Sequence, residues 1–186
     1  MRRFDFNPTP INDLLVITSR PVGDARGLLD RLFCQETLGH LTQGKMIRQI
    51  NRTVTRKKGT VRGLHFQHPP YAETKIVSCL RGKVLDVAVD LRKGSPTFLQ
   101  HHAVLLTAGT QCSYLIPEGF AHGFQTLTTD CEMIYFHTAD YNSSAEGTLN
   151  ALDPRLAINW PATIIERSER DTCQSMLVDD FQGLEA

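Results

Sequence analysis

The sequence predicts a mainly β protein, a sandwich or barrel of short strands, and three observations lead there. Alternating apolar residues mark strands, turn residues recur about every ten positions, and stretches of helical character are few. The opening "MRRFDFNPTPINDLLVITSRP" carries two arginines with no apolar run behind them, so no signal peptide is expected. Residues 26–39, around "RGLLDRLFCQETLGH", form the first helix candidate. "TVRGLHFQHPP" reads as a short strand stopped at Pro69 and Pro70. "KVLDVAVDLRKGSPTF" sets Leu85, Val87, Val89 and Leu91 on one face and then turns at Gly94-Ser95-Pro96. The next forty or so residues continue as short strands, punctuated at Ala108-Gly109-Thr110, Pro117-Glu118-Gly119 and Thr128-Thr129-Asp130. Part of the stretch after Trp160 is the other helix candidate. Without a repeat, low-complexity tract or linker, residues 1–186 read as one domain whose N-terminal strands and C-terminal segment are peripheral.

Composition narrows the function classes. Twenty basic and 20 acidic residues balance, which argues against a nucleic-acid or membrane-surface protein built on basic excess. The basic run "RTVTRKKGTVR" reads as a solvated turn. Five cysteines, widely spaced and without a CxxC, fit reduced thiols in a cytoplasm. No apolar run approaches the roughly 20 residues that span a bilayer.

Polar residues on strands carry the functional signal. In "GLHFQ", alternation puts His65 and Gln67 on one face, opposite Leu64 and Phe66. Arg62 falls on the wrong face for His65 unless Gly63 marks a bulge. In "EMIYFHTADY", Met133, Tyr135 and His137 share one face, and Ile134 and Phe136 the other. A barrel interior bearing His, Tyr and Gln is built for a polar ligand. Taken singly, each has a plainer reading: a hydrogen-bonded strand histidine, a core tyrosine, a surface lysine at Lys75. A metal site is one alternative, because Pro117, Gly119 and His122 of "PEGFAHGF" are spaced like the second motif of metal-binding cupins, small jelly-roll barrels. The upstream HxH of those proteins is here His65-Phe66-Gln67, and His101 and His102 point to opposite faces. Two secure histidines fall short of the three or four ligands a tight first-row metal needs.

"RGLHFQ", "GKVLDVAVDLRKGSPTF", "IPEGFAHGF" and "SSAEG…LDPRLAINWP", in this order, resemble the dTDP-4-dehydrorhamnose 3,5-epimerase family from about Asp24 to Asp171. The resemblance implies a cupin or jelly-roll β-barrel (a double-stranded β-helix) with a few peripheral helices. It also implies a homodimer exchanging strands near its N-terminal part, and no metal or organic cofactor. The reaction would invert carbons beside the ketone of a nucleotide-linked 4-keto-6-deoxy sugar. By the same resemblance His65 is the base, Asp171 orients it, Lys75 stabilises charge on the sugar O4, and Tyr135 returns a proton from the opposite face. Arg26, Gln49, Asn51, Arg62, His122, Glu146 and Arg170 would hold the nucleotide sugar, with Tyr141 stacking on the base.

Departures from the family pattern bear on specificity. Arg31 stands where an acid is usual, Ile50 and Arg52 change the "QINRT" segment, Ala151 replaces an aromatic near the site, and Asp140 precedes Tyr141 where an aromatic is common. The reading adopted from the resemblance is double inversion of a dTDP-linked sugar. The alternatives are a single-centre 3- or 5-epimerase, a 3,4-ketoisomerase, or a sugar-binding cupin without catalysis.

Overall fold

The computed structural model describes residues 3–185. Its strands are β1 (Phe4–Pro8), β2 (Leu15–Ser19), β3 (Val22–Asp24), β4 (Gly27–Leu29), β5 (Gln49–Thr55), β6 (Val61–Gln67) and β7 (Lys75–Arg81). They continue as β8 (Lys83–Asp90), β9 (His101–Thr107), β10 (Cys112–Ile116), β11 (Phe120–Thr126), β12 (Cys131–His137) and β13 (Glu146–Thr148). Two sheets carry the fold: six strands in the order β1-β2-β10-β7-β12-β5, and five in the order β13-β6-β11-β8-β9. Every ladder between these strands is antiparallel. This is the expected jelly roll.

Alternation along the strands sorts the apolar residues into three clusters. Val77, Val84, Ala88, Tyr114, Phe124 and Met133 meet between the sheets. Val87, Val89 and Leu91 face outward from the five-stranded sheet, where Leu149, Leu156, Trp160 and Phe181 of the C-terminal segment cover them. Ile76 and Phe136 face outward from the six-stranded sheet under Phe4, Ile17 and Leu38. With both outer faces covered, the polar strand residues gather at a cavity inside the barrel.

The first helix candidate is overturned. Residues 22–29 form the β3–β4 hairpin, and only Gln35–Leu38 (α1) is helical. In this segment Asp24 accepts from the Arg26 backbone N–H, a turn that competes with the helix ladder, and Leu28 and Leu29 stay exposed instead of supplying a buried stripe. The C-terminal candidate is one turn, Glu169–Thr172 (α2), capped where Ser168 Oγ accepts from Asp171 N at 3.1 Å.

Candidate active site

The bulge expected at Gly63 is present. Along β11 the register moves two residues, from His122 to Phe124, while its partners on β6 move three, from His65 to Arg62. The extra residue turns Arg62 to the same face as His65. Gly63 has φ +119°, and a Cβ there would sit 2.7 Å from Gly123 Cα and His122 O. Only glycine fits. A glycine opposite a glycine is what lets the strands close around the kink.

The inner faces of β5, β6, β7, β11 and β12 enclose a cavity of about 230 Å³ lined by Arg62, His65, Lys75, His122, Tyr135 and His137. Asn51, Tyr141, Glu146 and Arg170 stand at the same wall. A second hollow shares Arg62, His65 and Arg170 and adds Arg56, Lys57 and Arg167. The three shared residues stand between the two spaces.

Asp171 sits behind His65, buried, with Oδ1 2.7 Å from His65 Nε2 and Oδ2 accepting from Gly63 N at 3.2 Å. Burial opposes its ionisation, but the bond and charge of His65, with the N–H of Gly63 and the Ser168 contact, hold the carboxyl below its ordinary value. An ionised carboxylate only accepts, so the Oδ1 contact assigns the hydrogen to Nε2 and the lone pair to Nδ1. Arg170 Nη2 also lies 2.8 Å from Nε2, and as a donor it must turn from that nitrogen while Nε2–H points to Asp171. Nδ1 has no hydrogen-bond partner among the described residues. Burial pushes the Tyr135 phenol well above its ordinary value, so it stays a proton donor; Thr53 Oγ1 lies 3.4 Å away. Lys75 Nζ lies 3.1 Å from Glu73 Oε1 and 3.4 Å from the His65 carbonyl oxygen.

The remaining expected residues divide. His122 Nε2 bonds Asp86 Oδ1 at 2.7 Å, deep in the interior. Glu146 accepts from Tyr141 Oη at 3.1 Å and from Arg170 Nη1 at 2.7 Å. Gln49 stands just outside the cavity lining, where its Oε1 accepts from Tyr141 N. Arg26 is not brought to the cavity of its own chain: it lies on the exposed hairpin, paired with Asp24. Ala151 is likewise no pocket residue. It is buried under the outer face, its carbonyl accepting from Trp160 Nε1, so the lost aromatic does not open the site. Asp140 is exposed at the rim, paired with Arg48.

Sequence reasoning missed Asp86 and Glu73 and left His137 without a role. Asp86 was legible as a charge on the inward face of "VLDVAVD", the face it shares with Val84, Ala88 and Asp90. Glu73 sits in a loop, where no periodicity points to a face.

A model of the dTDP-4-dehydrorhamnose 3,5-epimerase family matches residues 8–179. The chain belongs to this family. The dTDP-4-dehydrorhamnose 3,5-epimerase of Salmonella typhimurium is 39% identical over 170 residues, 91% of this chain and 93% of that protein. A dTDP-4-dehydrorhamnose 3-epimerase of Streptomyces niveus is 32% identical over 173 residues, 92% of this chain and 83% of that one. Among solved structures, a Legionella pneumophila dTDP-6-deoxy-D-glucose-3,5-epimerase in complex with dTDP-4-keto-L-rhamnose superimposes with a TM-score of 0.91 at 34% identity, covering 98% of each chain. The family fixes the isomerase class and the jelly roll. No helix among the described residues is long and apolar enough to cross a membrane.

Proposed function

We propose that the protein inverts C3 and C5 of dTDP-4-dehydro-6-deoxyglucose, giving dTDP-4-dehydrorhamnose through enolate intermediates. The observation that carries this reading is the His65–Asp171 pair whose imidazole shares one cavity with the buried Tyr135 and Lys75. His65 Nδ1 takes the proton from the carbon beside the ketone, and the electron pair of that C–H bond passes to the ketone oxygen. Asp171 favours the imidazolium that results. Lys75 faces the developing oxyanion, supplying the charge stabilisation that the step needs most. Tyr135 then gives its proton to the opposite face of the carbon, and solvent resets both groups. The same set acts at the second carbon.

Arg62 and Arg170 suit the diphosphate, to which a guanidinium donates two parallel bonds. Tyr141, 57% exposed, offers a flat ring to the base. The β3–β4 hairpin, with Leu28 64% and Leu29 69% exposed, supports a homodimer in which Arg26 reaches the partner's site. The five cysteines are free thiols, which fits a reducing cytoplasm.

A second reading, single inversion at C3, is favoured by the Streptomyces niveus relative. NMR of the product formed in D₂O separates the two. Double inversion places solvent deuterium at both C3 and C5. Deuterium at C3 alone, with C5 unchanged, would refute it in favour of a 3-epimerase, and no labelling would refute the enolate chemistry.

A further inference from the structure

Three histidines line this cavity, each paired with a carboxylate: His65 with Asp171, His122 with Asp86 and His137 with Glu73. Only in the third pair does the carboxylate line the cavity too, and that pair has no part in the proton transfers above. Glu73 precedes β7, and its two oxygens serve different partners: Oε1 is 3.1 Å from Lys75 Nζ, and Oε2 is 2.8 Å from His137 Nδ1. Lys75 and His137 stand directly opposite in the β7–β12 ladder, so one carboxylate bridges the two strands. The three side chains are 9% (Lys75), 9% (Glu73) and 12% (His137) exposed. Burial opposes ionisation of Glu73, yet the charge of Lys75 and the bond and charge of His137 outweigh it and hold the carboxyl below its ordinary value.

The donors can be counted. An ammonium has three N–H groups. Nζ forms an ion pair with Glu73 Oε1 at 3.1 Å and donates to the His65 carbonyl at 3.4 Å, so at most two are engaged and at least one remains for the cavity. A lysine stem has four rotatable bonds, and these two anchors remove most of that freedom. Glu73 is itself anchored: its second oxygen accepts from His137, whose ring stacks on Tyr135 at 18° with centroids 6.0 Å apart. His137 Nε2 lies 3.5 Å from Asn51 Nδ2, so the ring is held from both ends.

We infer that Glu73 is a positioning residue for the epimerisation, with its carboxylate aiming Lys75 at the enolate oxygen while His137 anchors that carboxylate. The inference rests on the proposed enolate reaction. Lys75 keeps its proton throughout, and no proton passes through Glu73. Preorganised charge acts in the transition state, so loss of aim lowers kcat and leaves ground-state binding nearly intact.

The test follows solvent deuterium uptake and steady-state turnover of the 4-keto sugar in wild type, Glu73→Gln, His137→Phe, Lys75→Met and Glu73→Gln/Lys75→Met. Glu73→Gln should lower kcat at least tenfold with KM within threefold. His137→Phe, which keeps a ring against Tyr135, should lose about three- to tenfold in the same parameter. In the Lys75→Met background, Glu73→Gln should add less than a twofold loss, because its effect runs through the lysine. A Glu73→Gln kcat within twofold of wild type, or an equal loss with and without Lys75, would overturn the inference while the enolate reading stands. No deuterium uptake by the wild type would overturn the proposed function and the inference together. Should Glu73→Gln not fold, His137→Phe decides on the same terms: a kcat within twofold of wild type overturns the inference.

Discussion

Replacing Asp171 by asparagine changes one atom in a buried site, and the structure says what must follow. The carboxylate accepts from two donors, His65 Nε2–H on Oδ1 and Gly63 N–H on Oδ2. An amide has one oxygen, so one donor loses its acceptor. If the oxygen stays with Gly63, the amide NH₂ faces the imidazole and forces the hydrogen onto Nδ1, the nitrogen we propose as the base. If it stays with His65, two N–H groups meet at Gly63. Losing a bond to a charged group costs about 1.5–3 kcal/mol, or roughly ten- to 150-fold in rate. The wrong tautomer removes general-base catalysis worth about 10²–10⁴. We therefore expect Asp171→Asn to lower kcat by about 10²–10³, milder than His65→Ala, which deletes the base. Steady-state turnover of the nucleotide sugar, with product resolved by NMR, measures it. A kcat within about tenfold of wild type, under roughly 1.4 kcal/mol, in a variant of unchanged melting temperature would refute the orienting role.

Three other outcomes are expected. Gly63→Ala should destabilise the fold by about 3 kcal/mol or more, since both the positive φ and the 2.7 Å approach of Gly123 exclude a side chain; denaturant unfolding showing a loss under about 1 kcal/mol would contradict the packing argument. Activity should survive exhaustive chelation if, as we propose, Lys75 stabilises the oxyanion; loss of activity restored by one stoichiometric transition metal would make His65 and His122 ligands instead. Asp171 and Glu73 have native values lowered from 3.8 and 4.5, so their contribution is present above those values and lost as pH falls through the native ones. Asp86, raised by burial against the pull of His122, has the opposite sign, and its contribution is lost as pH rises. The melting temperature should therefore drop as pH falls below about 4.5 in wild type and drop less in Asp171→Asn; parallel curves would remove Asp171 from this linkage.

Much of this protein is local and therefore legible in the chain. Alternation placed Leu85, Val87 and Val89 against Met133 and Tyr135 on different faces without reference to any partner strand, because side-chain direction in a strand depends only on position along it. The Gly63 bulge could be stated as a condition, since Arg62 and His65 share a face only if an extra residue intervenes. The helix expected over residues 26–39 failed where apolar spacing met a hairpin whose leucines, Leu28 and Leu29, stay mostly exposed. What tertiary structure alone decided is which charges meet. Asp171 lies 106 residues from His65 and Asp86 lies 36 from His122. Glu73 joins Lys75 to His137 across a ladder whose register is set by two whole sheets. Ala151 sat near the site in sequence and under the outer sheet in space. A hydrogen bond acts over about 3 Å and carries no mark in the chain of the partner it will find, so the proton path, unlike the strands, exists only once the barrel has closed.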